Sequence, residues 1–292
     1  MLMEKIRLAS RVGYLRVFGA RSNVRADYDS ASKTYDSYYS RNLAQASLPY
    51  IEKVPVAPEN AVLDLACGTG FFTHILAERI GPGGKVVAVD ISTGMIDCNR
   101  REAARKKLCN IVFVEGDAIS ALRETPNGSV DLINIGWGIC YMDHKILRAE
   151  ILRVLKPGGH LSIIENRAST LREVGDLFER ALVDHPGALC KHVAISLPRG
   201  SAYLEKAFVG NSSLSLIDCY EGSVDVECES GAEIAEYMIH SGASSGFLDA
   251  LKPDRIDAVM TTFVREADER AESGGGLPRV THEFAVLIAR KE

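Results

Sequence analysis

A glycine-rich turn in the segment VLDLACGTG, residues 62–70, is the strongest candidate for chemistry in this sequence. Gly68 and Gly70 stand where a short apolar run gives way to a helical pattern, and a ligand can approach the backbone there because no side chain blocks it. The first N–H groups of the helix that follows can bind a carboxylate or a phosphate. Asp64 lies inside the apolar run, where its carboxylate can either hold the turn in place or face a cationic ligand group.

Two further acidic residues end the next two apolar runs. Asp90 ends KVVAVD, and Asp117 follows IVFVEG. A carboxylate at the place of Asp90 can accept hydrogen bonds from ribose hydroxyls, and Asp117 could reach an adenine amino group. A dinucleotide-binding fingerprint needs a third glycine, whereas FFT follows Gly70. The pattern therefore favours a nucleoside ligand without a pyrophosphate over NAD or FAD.

These residues must be positioned by alternating strands and helices. Short apolar runs predict strands at Ala61–Ala66, Lys85–Asp90, Ile111–Val114, Val130–Ile135 and His160–Glu165. Helical patterns occur at Phe71–Ile80, Ser92–Leu108, with Ser92 as its N-cap, and Lys145–Leu155. Strands that are buried on both faces of a parallel sheet lack period-two alternation in this way. Repeated strand–helix units with short loops predict a doubly wound α/β sheet with right-handed crossovers.

The second half of the chain carries a looser pattern. It predicts helices at Leu171–His185, Ala232–His240 and Pro253–Glu272, a strand-rich stretch at Leu214–Glu229 bent at Glu221-Gly222, a flexible loop at Ser273–Gly276 and a last strand at Phe284–Ala289. We interpret the chain as one domain, 1–292. Its expected parts are an N-terminal arm and lid helix at 1–53, a ligand-binding core at 54–167, a capping region at 168–280 and the final strand at 281–292.

Composition narrows the function classes. The chain has 34 Lys and Arg against 39 Asp and Glu, a net charge of −5, which disfavours a nucleic-acid partner. Seven cysteines without a C-x-x-C pair argue against a zinc site or a disulfide framework, so we expect no metal and a reducing, cytoplasmic location. No stretch approaches the apolar length of a membrane span. The first 25 residues are basic, but they lack the apolar region of a secretory signal. An N-terminal arm that packs on the domain or frays is the expected role, because the basic residues do not gather on one helical face, and a transit peptide or a membrane-surface segment is the alternative.

Five segments, in order, resemble the motifs of class I S-adenosylmethionine (SAM)-dependent methyltransferases: VLDLACGTG, VVAVDIS, EGDA, DLINIGWGICYMDH and LRVLKPGGHLSI. The chain is most similar to the broad group that includes ubiquinone and menaquinone C-methyltransferases and many small-molecule methyltransferases. The resemblance covers residues 28–166 and a final strand at 281–290. It implies a Rossmann-like, mostly parallel sheet of about seven strands with the last strand antiparallel, a helical capping region, and SAM as the cofactor.

The resemblance also implies which residues surround SAM. The methionine and ribose part of SAM would be lined by Asp64, Ala66, Gly68 and Gly70, and the methionyl arm would touch Ile135 and Gly136. The ribose hydroxyls would be held by Asp90, and the adenine would lie beside Ile91 and Met95 with its edge against Asp117 and Ala118. A lid would be formed by Tyr28 or Tyr35.

Residues after the fourth and fifth strands are candidates for the methyl acceptor. Trp137 and Tyr141 could form an aromatic wall, although aromatic residues also fill cores. The candidates for acceptor binding are Trp137, Tyr141, Asn166 and Arg167. The candidates for catalysis are His144, Tyr141 and Glu165, and His144 could act as a base together with the adjacent Asp143. The polar residues among these candidates could instead belong to a solvated loop without a role in binding. Ligands of open α/β folds bind at the carboxyl ends of the strands, however, and these residues follow two such ends.

The resulting prediction is methyl transfer from SAM to an O, N or C atom of a small molecule. One alternative is a SAM-fold enzyme with a different reaction, such as a cyclisation or an elimination, since a fold does not determine a reaction. Another is a non-catalytic SAM-binding regulatory protein. The sequence leaves open the acceptor, the methylated atom and the use of a general base, and it is compatible with a homodimer.

Overall fold

The chain folds into two compact units. The sheet unit comprises residues 43–170, 195–223 and 283–292, and the helical unit comprises residues 1–42, 171–194 and 224–282. The structure, a computed structural model, describes residues 2–20, 24–192, 195–241 and 247–292. Within these described ranges, no helix is long and apolar enough to cross a membrane.

Seven strands form one sheet in the order β3-β2-β1-β4-β5-β7-β6. The strands are β1 Ala61–Leu65, β2 Lys85–Asp90, β3 Ile111–Glu115, β4 Val130–Gly136, β5 Leu155–Asn166, β6 Leu214–Val226 and β7 Val280–Lys291. Strand β1 pairs in parallel with β2 and β4, and the pairs β2–β3 and β4–β5 are also parallel. Strand β7 is antiparallel to β5. This topology confirms the predicted Rossmann-like sheet with an antiparallel last strand.

The helices connect and flank these strands. They are α1 Leu2–Phe18, α2 Val24–Ala31, α3 Arg41–Lys53, α4 Phe71–Ile80, α5 Thr93–Arg105, α6 Ala118–Glu124, α7 His144–Val154, α8 Arg172–Asp184, α9 Ser201–Leu204, α10 Gly231–His240 and α11 Ile256–Arg270. Single π-helical turns lie at Asp36–Ser40, Glu205–Val209 and Ala271–Gly275, and 3₁₀ turns lie at Ile139–Tyr141 and Pro253–Arg255. The Ser92 side chain accepts a hydrogen bond from the Met95 backbone N–H, so the predicted N-cap of α5 is confirmed.

One local prediction stays a prediction and one was wrong. Strand β6 runs from Leu214 to Val226, and the bend expected at Glu221-Gly222 stays a prediction. A Cβ atom on Gly222 would lie 2.5 Å from the Phe284 ring, so this glycine makes room for a neighbouring aromatic side chain. The loop expected at Ser273–Gly276 largely forms the last π-helical turn, and a positive φ at Gly274 interrupts it.

Each unit has its own hydrophobic core. In the sheet unit, apolar side chains of the strands pack against α7 and the turn at Glu205–Val209, and the fully buried members include Leu65, Ile133, Ile151, Phe208 and Leu287. In the helical unit, α1, α8, α10 and α11 contribute Leu8, Phe178, Tyr237 and Phe263. Removing a side chain from such a core leaves a cavity that the surroundings fill only in part.

Shortening a buried side chain of a central strand should therefore destabilise the protein strongly. We expect Ile133→Ala to lower the free energy of unfolding by about 2–5 kcal/mol, because Ile133 is fully buried in β4. Ile146→Ala is the matched control, since Ile146 is 40% exposed on α7 and should change stability by less than about 0.5 kcal/mol. Urea unfolding of both variants measures the difference, and equal losses would contradict the position of β4 in the core.

Candidate functional site

A row of buried polar side chains crosses the centre of the sheet. Asp64, Asn134 and Ser162 are register partners on β1, β4 and β5, so their side chains project from the same face. The Asn134 amide Nδ2 donates to Asp64 Oδ1 at 2.8 Å, and Ser162 Oγ donates to Asn134 Oδ1 at 3.0 Å. The buried Tyr50 hydroxyl of α3 donates to the same Asn134 oxygen at 2.7 Å. Every polar group of this row therefore has a partner away from water.

The second carboxylate oxygen of Asp64 fixes the helix after the glycine turn. Thr73 Oγ1 of α4 donates to Asp64 Oδ2 at 2.6 Å, and Asn99 Nδ2 of α5 donates to Thr73 Oγ1 at 3.3 Å. Burial raises the pKa of Asp64 to about 6, although the hydrogen bonds from Thr73 and Asn134 lower it. Both oxygens therefore bind groups of the protein. Of the two roles considered for Asp64, holding the turn or facing a cationic ligand group, these contacts correspond to holding the turn. Direct contact of Asp64 with SAM stays a prediction.

The two glycines of the turn serve different purposes. Both have a positive φ, 53° at Gly68 and 99° at Gly70, a backbone conformation that glycine adopts without strain. A Cβ atom on Gly68 would meet no atom within 4 Å, so this part of the turn borders open space. A Cβ atom on Gly70 would lie 2.3 Å from Asn99 Oδ1. Gly68 therefore leaves room for a ligand, whereas Gly70 is required by packing.

Asp90 is anchored in a geometry that suits ribose. Its Oδ2 accepts a hydrogen bond from the Gly68 backbone N–H at 2.8 Å, and its Oδ1 accepts one from the Ser92 backbone N–H at 2.9 Å. A carboxylate only accepts hydrogen bonds, so its chemistry matches that of ribose hydroxyl donors. Ile91 beside it is 46% exposed and offers apolar surface, whereas Met95 is buried in the core.

Four further predicted cofactor residues, at the ends of β3 and β4, lie at the same carboxyl edge of the sheet. Asp117 caps α6, because its Oδ1 accepts hydrogen bonds from the Ser120 backbone N–H and hydroxyl at 2.8 and 3.1 Å, and Ala118 after it is buried. Ile135 is buried within β4. A Cβ atom on Gly136 would lie 2.1 Å from the Phe72 ring, so this glycine allows α4 to pack closely on the end of β4.

Tyr28 and Tyr35 lie in the helical unit. Their rings pack edge to face with centroids 6.1 Å apart, and Tyr35 also packs on Tyr39 at 5.0 Å. Their role as a lid over SAM stays a prediction.

Trp137 is held rigidly directly after β4. It has a φ of 61°, a conformation that non-glycine residues rarely adopt, and its backbone N–H donates to the Ile164 carbonyl at 2.8 Å. Its indole Nε1 donates to Ser47 Oγ at 3.1 Å, and its ring packs edge to face on Phe284 with centroids 6.0 Å apart. The fixed ring is consistent with the predicted aromatic wall. Tyr141, further along the same loop, is exposed.

Glu165 ties the loop after β4 to the end of β5. Its Oε2 accepts from the Cys140 backbone N–H at 3.1 Å, and its Oε1 accepts from the Asn166 backbone N–H at 2.8 Å. Burial raises the pKa of Glu165 to about 7, against hydrogen bonds from Cys140 and Asn166 that lower it. The carboxyl group can therefore change its protonation state near neutral pH.

The predicted pairing of Asp143 with His144 is wrong. Asp143 Oδ1 accepts from the Lys145 and Ile146 backbone N–H groups at 2.9 and 3.0 Å, so this carboxylate caps α7. His144 contacts the Ile139 carbonyl through Nε2 at 3.0 Å and the Tyr203 hydroxyl through Nδ1 at 2.8 Å. A carbonyl can only accept, so in the neutral ring Nε2 carries the proton and Nδ1 accepts from Tyr203. A catalytic role for His144 stays a prediction.

Arg167 has a buried Nε–H group without a hydrogen-bond partner. Its Nη1 lies 2.9 Å from Glu221 Oε2, and Glu221 Oε1 accepts from the Ser201 backbone N–H at 2.7 Å. Two buried side-chain nitrogens among the described residues have no hydrogen-bond partner, Arg167 Nε and Arg148 Nε. Arg148 lies on α7, whereas Arg167 directly follows β5 at the carboxyl edge of the sheet. Asn166 beside it accepts from Thr170 Oγ1 at 3.1 Å.

Sequence reasoning missed several of these partners. Asn134 carried a detectable signal, because it is a polar residue inside the apolar strand VDLINIG. No comparable signal marked Tyr50, Thr73, Ser47 or Glu221, because the role of each depends on which distant residue it contacts. The seven cysteines, all within the described ranges, have free thiols. In the same ranges, no group of three or more His, Cys, Asp or Glu side chains could hold a metal ion.

The raised pKa of Glu165 makes stability depend on pH. The folded protein keeps this carboxyl protonated up to about pH 7, whereas its ordinary pKa is 4.5. Unfolding then releases a proton within this window, so Glu165 makes the free energy of unfolding fall as pH rises from 4.5 to 7, by up to about 1.4 kcal/mol per pH unit. Urea unfolding of wild type and Glu165→Gln between pH 5 and 7 isolates this contribution, since Asp64 titrates in both proteins. Identical slopes would contradict the raised pKa.

Comparison with known proteins agrees with this geometry. The model of the ubiE/COQ5 methyltransferase family matches residues 17–184. The demethylmenaquinone methyltransferase of Lactococcus lactis is 32% identical over 171 residues, which are 58% of this chain and 66%, just under two thirds, of that protein. The demethylmenaquinone methyltransferase of Geobacillus stearothermophilus is 29% identical over 218 residues, which are 73% of this chain and 90% of that protein.

Solved structures share the fold. The cyclase SpnF aligns with a TM-score of 0.57 and 18% identity over 94% of this chain and 98% of its own. The YcgJ protein of Bacillus subtilis aligns with a TM-score of 0.54 and 19% identity over 87% of this chain and 99% of its own. Because the family model covers more than half of the chain and the sheet has the expected topology, the chain belongs to the ubiE/COQ5 family of SAM-dependent methyltransferases.

Proposed function

We propose that this methyltransferase transfers the methyl group to a ring carbon of a small aromatic acceptor that carries an ionisable hydroxyl group. A hydroquinone of the demethylmenaquinone type belongs to this class, and demethylmenaquinone methyltransferases are among the relatives of the chain. The observation that carries the proposal is the buried, unpartnered Nε–H of Arg167 at the carboxyl edge of the sheet.

A buried donor without a partner costs about 1–3 kcal/mol, which an incoming acceptor atom can recover. The guanidinium of Arg167 is also held in place by Glu221, at 2.9 Å. A positive, oriented donor of this kind suits an ionised hydroxyl oxygen, since hydrogen bonds between charged groups are the strong ones. Arg167 would therefore bind the acceptor by its oxygen.

Trp137 and Phe284 supply the apolar part of the site. Trp137 follows β4, and Phe284 pairs in register with Asn166 at the end of β5. The two rings pack edge to face, and the hydrogen bond from Trp137 to Ser47 fixes the indole. Aromatic faces prefer offset-stacked or edge-to-face neighbours, so a flat acceptor ring can lie against this pair. The loop residue Tyr141 is exposed and can contact the same acceptor.

The residues fit SAM at the neighbouring strand ends. Asp90 would hold the ribose hydroxyls, and the open space at Gly68 would admit the ligand beside the turn. When bound, SAM supplies an electrophilic methyl group. The site's contribution is to hold the acceptor carbon in line for attack at near-attack distance. Arg167 stabilises the ionised hydroxyl, whose electron density makes the neighbouring ring carbon nucleophilic. The new carbon–carbon bond would form as the bond between the methyl group and the SAM sulfur breaks, which leaves S-adenosylhomocysteine. The proton on the methylated ring carbon would then pass to solvent, and the ring would regain its aromaticity.

The three catalytic candidates take different roles in this proposal. Glu165 is a positioning residue, because its two oxygens hold the loop that carries Tyr141. His144, the first residue of α7, positions α9 and the 3₁₀ turn at Ile139–Tyr141, since its ring nitrogens contact Tyr203 and the Ile139 carbonyl. Tyr141 is the one candidate with an exposed side chain. Capping of the acceptor by residues 168–280 and formation of a homodimer stay predictions, and the net charge of −5 supports a small molecule over a nucleic acid.

Loss of the Asp90 carboxylate should abolish tight SAM binding. Hydrogen bonds to a charged group contribute about 1.5–3 kcal/mol each, so Asp90→Ala should weaken SAM and S-adenosylhomocysteine at least tenfold in calorimetric titration. Asp97→Ala is the matched control, because Asp97 is an exposed acid on α5 that pairs with Arg100. Wild-type affinity in a folded Asp90→Ala protein would remove Asp90 from the cofactor site.

Methyl transfer to the acceptor should depend on Arg167. With labelled SAM and reduced demethylmenaquinone, we expect a product methylated on a ring carbon, located by NMR. Arg167→Ala should lower kcat/KM for the acceptor at least tenfold and leave the Kd of SAM unchanged, because the lost contact is to the acceptor.

Arg148→Ala is the matched control for this measurement. Its guanidinium also has a buried, unpartnered Nε. Its Nη2, however, donates to the Gly210 and Asn211 carbonyls in the segment before β6, and not to residues that follow β4 or β5. We expect this variant to lose stability and keep kcat/KM. A product methylated on oxygen would overturn the ring-carbon assignment. SAM binding without any methylated product would overturn the acceptor class.

A further inference from the structure

Helix α1 presents two different faces. Leu8 and Leu15 are buried against the helical unit, and between them Arg11 Nε donates to the Leu189 carbonyl at 3.0 Å. These contacts hold one side of the helix on the unit along its length. Because successive residues turn by about 100°, positions 8, 11 and 15 define a single packed face.

The opposite face is apolar and uncovered. Helical geometry places Leu2, Ile6, Gly13 and Val17 on the side away from Leu8. Leu2, Ile6 and Val17 are 73%, 51% and 70% exposed, and Met3, Tyr14 and Phe18 are also exposed large apolar side chains of this helix. Large apolar side chains that share one exposed helix face in this way indicate an interaction site.

Basic side chains flank this stripe on both sides. Lys5 and Arg16 lie along one border, and Arg7 lies along the other. The helix carries four basic residues against one acidic residue, Glu4, whereas the whole chain has a net charge of −5. Glu4 sits towards the packed face and lies 3.7 Å from Arg7. The positive charge is therefore a local property of α1.

We propose that the outward face of α1 binds the surface of an anionic lipid bilayer, with the helix lying in the plane of the interface. The apolar side chains would enter the boundary between headgroups and acyl chains, and Lys5, Arg7 and Arg16 would reach the lipid phosphates with their charged ends. Each basic residue near such a surface contributes about 1 kcal/mol. A helix of 17 residues with these charges does not span a bilayer.

Charge distinguishes this occupant from a second copy of the chain. A symmetric dimer places the same patch against itself. Two α1 faces in contact would bring the rows formed by Lys5, Arg7 and Arg16 together, and like charges at short distance repel. An anionic surface instead neutralises both rows while it covers the apolar stripe.

Co-sedimentation of the full chain with vesicles tests the proposal. We expect binding to vesicles of equal parts phosphatidylglycerol and phosphatidylcholine, and much weaker binding to phosphatidylcholine alone. Ile6→Glu/Val17→Glu should weaken binding at least tenfold by placing charges in the stripe. Lys5→Gln/Arg7→Gln/Arg16→Gln should weaken it about a hundredfold, at roughly fivefold per basic residue. Ile146→Glu, on the exposed side of α7, should bind like wild type.

Three outcomes would overturn the proposal: no binding by wild type, equal binding to neutral and anionic vesicles, or wild-type binding by Ile6→Glu/Val17→Glu. A wild-type dimer that becomes monomeric in that variant, without vesicle binding, would show that a second copy covers the stripe. Circular dichroism and SAM affinity confirm that the variants are folded. The vesicles contain no methyl acceptor, so this result is independent of the proposed methyl transfer.

Discussion

The buried carboxylate of Asp64 is the group on which the geometry of the site depends. Removing a carboxylate from water is costly unless its oxygens are hydrogen-bonded, and here Asn134 and Thr73 each donate to one oxygen. Asn134 belongs to the neighbouring strand, and Thr73 belongs to the helix after the glycine turn. One carboxylate thus links the strand before the glycine turn, the neighbouring strand and the helix after the turn, so internal hydrogen bonds fix the geometry of this edge of the sheet.

Backbone strain accumulates next to this network. Ala66 after β1 and Trp137 after β4 both have a positive φ, 56° and 61°. Such conformations cost of order 1–3 kcal/mol and persist only where the surroundings enforce them. A Cβ atom on Gly138 would lie 2.4 Å from the Ala66 Cβ, so the two loops pack closely. Asp64 lies two residues before Ala66 and Asn134 lies three residues before Trp137, and the hydrogen bond from Trp137 to Ser47 keeps the indole in one orientation.

Local patterns in the sequence were enough to predict the fold and the acids at the strand ends. Apolar runs, the glycine turn and the helix cap at Ser92 each involve neighbouring residues, so short segments encode them. The pairing of Tyr50 with Asn134 was not predictable, because it joins a helix residue to a strand residue 84 positions away through tertiary packing. The sequence adjacency of Asp143 and His144 misled for a related reason, since a residue before a helix is oriented by the backbone N–H groups that it caps.

The two proposals depend on different electrostatic regimes. Arg167 is held by Glu221 at a partly buried position, where dissolved salt screens charges only weakly. The basic borders of α1 are exposed, and their attraction to a lipid surface extends little beyond the Debye length of about 10 Å at 0.1 M salt. Ionic strength can therefore detach the helix from a membrane while the chemistry of the site is unchanged.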